Sequence, residues 1–111
     1  ADEQQKIARG YDHSFLLDEA CRDGQTPAAE ARSADGSVVM RLFTDLPAVQ
    51  FYSGNYLDGT PAREGVYGRY AGFALEPGFT PDAPNRKGGE ACILRPGQLA
   101  RHFIRFQFLA G

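Results

Sequence analysis

Short apolar or alternating runs, each closed by turn residues, fill the chain from end to end. Residues 11–17 form the first predicted strand and residues 28–33 a second. Asp35-Gly36 is a hairpin dipeptide, because both residue types tolerate the positive φ that tight turns need. It opens into Val38-Val39-Met40-Arg41-Leu42-Phe43-Thr44, a run of strand formers. The Asp45-Leu46-Pro47 turn leads into residues 49–53. A loop over 55–68, with Asp58-Gly59 and Pro61, precedes a strand over 71–76 and a Pro/Gly-rich loop over 77–89. Residues 92–94 make a short strand candidate, closed by Arg95-Pro96-Gly97. In the last run, 99–109, Phe103, Arg105 and Gln107 alternate with His102, Ile104, Phe106 and Phe108. No segment carries the i, i+3, i+4, i+7 stripe of an amphipathic helix. The pattern predicts an all-β, antiparallel β-sandwich or barrel, with residues 1–111 as a single β domain.

Composition narrows the function. The chain has 111 residues, with 12 Lys+Arg against 14 Asp+Glu and 42% apolar positions. That balance, without a basic block, argues against nucleic acid as a partner. No window approaches the ~18 apolar residues of a membrane span, so no membrane partner is expected. The polar start, Ala-Asp-Glu-Gln-Gln-Lys, has no signal-peptide pattern, and a cytoplasmic setting is expected. A removed leader would leave a periplasmic or secreted setting open. Cys21 and Cys92 form no CxxC, and His13 and His102 lack metal-ligand spacing, so no metal site is expected. Two unrelated thiols or one disulfide both fit the cysteines. The long loops over 55–68 and 77–89 are where a β scaffold would carry function.

Glu76 is the most informative single residue. Strand alternation puts it on one face with Gly72 and Ala74, while Phe73 and Leu75 take the other. Two small neighbours leave room in front of the carboxylate, as a ligand cavity would need. A carboxylate ending a buried strand must be paired, solvated, or driven to hold its proton. A general base and a solvent-reaching strand end both fit. Asp12-His13-Ser14 suggests a nucleophilic triad, but alternation sends His13 to the opposite side from Asp12 and Ser14. Gln50 and Phe51 likewise part, one toward a core and the other toward a surface or cleft. Asp82, in Pro81-Asp82-Ala83-Pro84-Asn85, reads as a turn former. A glycosidase-type carboxylate pair would need Glu76 with Asp12 or Asp82 at a defined separation.

Four segments, taken together, carry a resemblance. Gly10-Tyr11-Asp12-His13-Ser14-Phe15 resembles the GYDHNF signature of the aldose 1-epimerases, the galactose mutarotases. Residues 49–59, Val-Gln-Phe-Tyr-Ser-Gly-Asn-Tyr-Leu-Asp-Gly, are similar to that family's QFYTGNFLDG. Gly72-Phe73-Ala74-Leu75-Glu76, followed by residues 81–85, resembles GFCLE…PDxPN, and Ile93-Leu94-Arg95-Pro96-Gly97 resembles LRPGE. The four occur in the family's order.

The resemblance implies a part of a galactose-mutarotase-type supersandwich and an isomerase that interconverts α and β anomers of hexoses such as galactose and glucose. It implies Glu76 as catalytic general base and Asp12 and Gln50 as substrate-binding residues, with no cofactor. The family's general-acid histidine, a second histidine and a sugar-contacting arginine belong to a preceding portion, and neither His13 nor His102 matches them. The expectation is therefore a mutarotase portion with exposed edges and apolar faces: it pairs with another polypeptide or copy, it is a fragment, or the fold closes differently. A carbohydrate-binding module without catalysis is the alternative.

Overall fold

Alternation and turn chemistry divide residues 2–111, those the computed structural model describes, into six strands and a few short helical turns. The strands are β1 (Asp12–Leu16), β2 (Ala29–Arg32), β3 (Val38–Thr44), β4 (Ala48–Tyr52), β5 (Ala74–Gly78) and β6 (Ile104–Ala110). They form two three-stranded antiparallel sheets, ordered β1-β4-β5 and β2-β3-β6. The all-β, two-sheet expectation therefore holds. The one α-helix, α1 (Glu3–Ala8), buries no residue and is capped by the Asp2 carboxylate, which accepts from Gln5 N at 2.7 Å.

The β2–β3 hairpin turns where Asp35-Gly36 predicts. The Asp35 carboxylate accepts from Ser33 Oγ at 2.6 Å, Ser37 N at 3.1 Å and Ser37 Oγ at 2.8 Å, so the turn supplies its own polar partners. Strand β3 covers the predicted run. Three expectations shift. Strand β5 starts at Ala74 and runs through Pro77 to Gly78, rather than ending at Glu76. It is an edge strand, where a residue without an N–H costs no inner ladder bond. The strand expected over 92–94 is absent, and Gly89–Cys92 is a 3-10 turn with Ile93 extended after it. The last strand begins at Ile104, so residues 99–103 run outside the sheet.

The core gathers where the two sheets are joined. Leu42 and Thr44 are fully buried, and Phe43, Leu46, Ala48 and Val49 are nearly so. Thr44 satisfies its hydroxyl by donating to Phe103 O at 2.9 Å, and it also accepts from Leu46 N at 3.2 Å. On the first sheet, Phe51 packs against Tyr11 and Phe73, with ring centroids 5.4 and 6.4 Å away. Phe51 and Leu75 line clefts of about 390 and 360 Å³ shared with Ala29 of β2. Along β6, Ile104, Phe106 and Phe108 share a face, as their alternation predicts, yet are 50%, 44% and 66% exposed. Cys21 and Cys92 are free thiols. Among the described residues no helix is long and apolar enough to cross a membrane.

Candidate active site

Register builds the site. Strand β4 lies between β1 and β5, and Gln50 stands opposite Ser14 on one side and Glu76 on the other. The neighbouring row is Asp12, Tyr52 and Ala74. Directly opposed residues of antiparallel strands point to the same face, as do residues two apart. Asp12, Ser14, Gln50, Tyr52 and Glu76 therefore share one polar face. The opposite face carries the row His13, Phe51 and Leu75 and is apolar.

Gln50 Nε2 donates to Asp12 Oδ1 at 2.7 Å, a diagonal bond between β4 and β1. Glu76 is exposed, and among the described residues no side-chain hydrogen bond or ion pair engages its carboxylate. This corrects the expectation of a carboxylate at the end of a buried strand. Glu76 lies in the middle of β5, flanked on its own face by Ala74 and Gly78. The room in front of it is an open sheet face floored by small residues, not a closed hollow. Asp12 stands two strands away, a lateral distance of about 10 Å at the usual strand spacing.

A clamp fixes Asp12 against β4. The buried Asn55 side chain donates to Ala8 O at 2.8 Å and Tyr11 O at 2.9 Å, and accepts from Ser53 Oγ at 2.6 Å. Ser53 Oγ accepts from Tyr11 N at 2.9 Å, and Ser53 N donates to Tyr11 O at 3.0 Å. Gly10, at φ 150°, leaves the space that this amide fills, since a Cβ there would meet the Asn55 side chain. Gly54, at φ 71°, passes so close to the Gly72 carbonyl that a side chain would collide with it. The segments carrying Asp12, Gln50 and Glu76 are thus tied together just outside the strands.

Neither histidine joins this face. His13 points to the apolar side, where its ring lies 5.5 Å from the Tyr11 ring, and its Nδ1 accepts from Asp12 N at 3.0 Å. The Asp12-His13-Ser14 sequence forms no triad, as alternation requires. His102 pairs with Asp45 at 3.1 Å, and Asp45 also accepts from Phe103 N at 2.9 Å. Desolvation opposes ionisation of Asp45, but the hydrogen bonds from Phe103 N and His102 outweigh it and hold the carboxyl below its usual range. Asp82 is a turn residue at φ 61°, its carboxylate accepting from Asn85 Nδ2.

Tyr52 and Asn55 carry no mark as site residues when taken singly, whereas alternation alone sets Ser14 on the side of Asp12. Tyr52 lies two positions from Gln50, and Ser14 two from Asp12. The period-2 rule sets Ser14 beside Asp12, and applied outward from Gln50 it finds Tyr52 as well. Asn55 carries no such signal, because its role depends on contacts with residues 8 and 11 that only the folded chain creates.

A family model described as Aldose 1-epimerase matches residues 1–107. The chain is 44% identical over 113 aligned residues to the aldose 1-epimerase of Escherichia coli strain K12, covering 99% of this chain and 32% of that protein. It is 39% identical over 101 residues to the galactose mutarotases of Rattus norvegicus and of Homo sapiens, covering 89% of this chain and 29% of each. The chain spans about a third of the length of the curated relatives it matches.

Proposed function

The chain belongs to the aldose 1-epimerase family, and on that premise we propose that the protein it forms part of interconverts the α and β anomers of a hexose, with Glu76 as general base. The observation that carries this reading is the shared face of Asp12, Gln50 and Glu76. Glu76 presents an unengaged carboxylate there, able to take a proton.

In the proposed step the Glu76 carboxylate removes the proton of the anomeric hydroxyl. The freed electron pair forms the carbonyl at C1, the bond from C1 to the ring oxygen breaks, and the ring oxygen takes a proton from a general acid. Rotation about C1–C2 and reversal of each transfer deliver either anomer. Asp12 accepts from sugar hydroxyls. Gln50 donates one amide proton to Asp12 and keeps its other donor and its carbonyl oxygen for the sugar. Both proton transfers use side chains, so the scheme calls for no cofactor or metal. A reducing, cytoplasmic setting suits the two free thiols.

One observation favours a second reading for residues 2–111 on their own. Among the described residues neither histidine faces Glu76, so the ring oxygen has no histidine to protonate it. On that reading the segment binds sugar without turning it over, and the general acid comes from polypeptide outside it.

Polarimetry of freshly dissolved α-glucose and α-galactose, with the full-length protein, tests the proposal. The expected result is a catalysed approach to anomeric equilibrium that Glu76→Gln abolishes. Full activity in Glu76→Gln, or no catalysis by the full-length protein, would overturn it. Sugar-induced shifts in the nuclear magnetic resonance spectrum without any rate would leave the binding-module reading standing instead.

A further inference from the structure

We propose that Tyr52 is a further sugar-binding residue, whose phenolic hydroxyl donates a hydrogen bond to a hydroxyl of the bound hexose. The inference rests on the reading of the Asp12–Gln50–Glu76 face as the sugar face. Tyr52 stands directly opposite Asp12 on β1 and opposite Ala74 on β5, two positions along β4 from Gln50. Its side chain therefore belongs to the polar face, at the end away from Gly78.

The hydroxyl accepts a hydrogen bond from Tyr56 N at 2.9 Å. A phenol has one proton to give and can accept as well. The main chain of the following loop holds the oxygen in place through its acceptor side. Among the described residues the proton has no acceptor, so a donor is left fixed on the polar face. A donor already held in position loses little freedom on binding.

The neighbouring groups make the ligand class specific. An ionised Asp12 only accepts, and Tyr52 has a proton to donate. A sugar hydroxyl both donates and accepts, so one hydroxyl can bridge them, giving its proton to Asp12 and receiving one from Tyr52. Ala74, the small residue on the other side of Tyr52, leaves space above the ring for the body of a pyranose. A neutral polyol fits this pair, whereas an anionic group would be repelled by Asp12.

The test uses the full-length protein with Tyr52→Phe, which removes one oxygen and keeps the ring. For galactose or glucose, KM should rise about five-fold, the loss expected for one neutral hydrogen bond, with kcat nearly unchanged. The same variant is then compared with the unaltered protein on a series of monodeoxy hexoses. For the one sugar lacking the bridging hydroxyl the two proteins should have equal KM, while the others keep the five-fold gap. An unchanged KM, a loss confined to kcat, or an equal gap for every deoxy sugar would overturn the proposal, the last because it marks a loosened loop. If Tyr52→Phe does not fold, a fluorotyrosine placed at position 52 serves instead. Its resonance should shift on adding galactose, and an unmoved resonance would count against a contact. Activity surviving in Glu76→Gln would overturn the underlying reading. Loss there, beside an unaffected Tyr52→Phe, would remove only the role of Tyr52.

Discussion

Gln50 donates to Asp12 at 2.7 Å while standing directly opposite Glu76, so a neutral residue of the middle strand lies between the two acidic ones. The arrangement keeps two carboxylates on one face without placing them side by side. It also orients Asp12, whose oxygen would otherwise be free to rotate.

Removing that amide should weaken sugar binding in the full-length protein. Gln50→Ala deletes the partner of Asp12 and a group proposed to face the sugar, and KM should rise about tenfold or more, as for hydrogen bonds to a charged group. Gln50→Glu should be worse at neutral pH, because three carboxylates would then crowd one face. Steady-state polarimetry over a range of sugar concentrations measures both, and an unchanged KM in Gln50→Ala would remove Gln50 from the site.

Asn55 should be a stability position. Its side chain satisfies two backbone carbonyls and one hydroxyl from a site that is 2% exposed. Asn55→Ala should cost roughly 1–3 kcal/mol, since it removes the hydrogen bonds of a buried side chain, the one to Ala8 O among them. Asn55→Asp should cost more, because a carboxylate has no proton for Ala8 O or Tyr11 O and would be charged in a buried place. Urea unfolding of the full-length variants gives the order. Asn55→Asp proving as stable as the natural protein would contradict the clamp.

The β2–β3 turn should respond to acid. Hydrogen bonds from Ser33 first, then from the backbone and side chain of Ser37, lower the Asp35 carboxyl from 3.8 to about 2. A group depressed on folding contributes stability that is fully present above its unfolded value and is lost as pH falls through its folded value. The contribution of Asp35 should therefore be whole at pH 5 and fade from about pH 4 down to about pH 2. Asp35→Asn should flatten that part of the stability profile. Urea midpoints of the two proteins across this pH range decide it, and parallel profiles would place the acid sensitivity elsewhere.

Residues 2–111 prepared alone should self-associate. Strand β6 is a sheet edge, and Phe106 and Phe108 stand 44% and 66% exposed on one face of it. Phe108→Lys should shift the population toward monomer. Sedimentation velocity reads the change, and a monodisperse monomer of the unaltered segment would show that these faces need no cover.

Local signals made part of this structure legible. Strand β3 was readable because β-branched and aromatic residues follow a hairpin dipeptide, and both act within a few positions. Alternation parted Gln50 from Phe51 and Asp12 from His13, as the sheet does. At Pro77 the pattern misleads, because sequence does not say that β5 lies at a sheet edge. Over residues 92–94 the pattern is ambiguous, because three apolar positions fit a strand or an extended tail equally well. The meeting of Gln50 with Glu76 was out of reach for a local reading, since it depends on the pairing register of distant segments. Four family-like segments bridged that gap, by resemblance and not by geometry.

Strands β1 and β4 pair side by side, yet the whole β2–β3 hairpin is threaded between them in the chain. The polar face consequently cannot nucleate from any short stretch. It comes into being only when β4 returns to β1 across 38 positions of chain, so sugar recognition would report that this long-range pairing has formed.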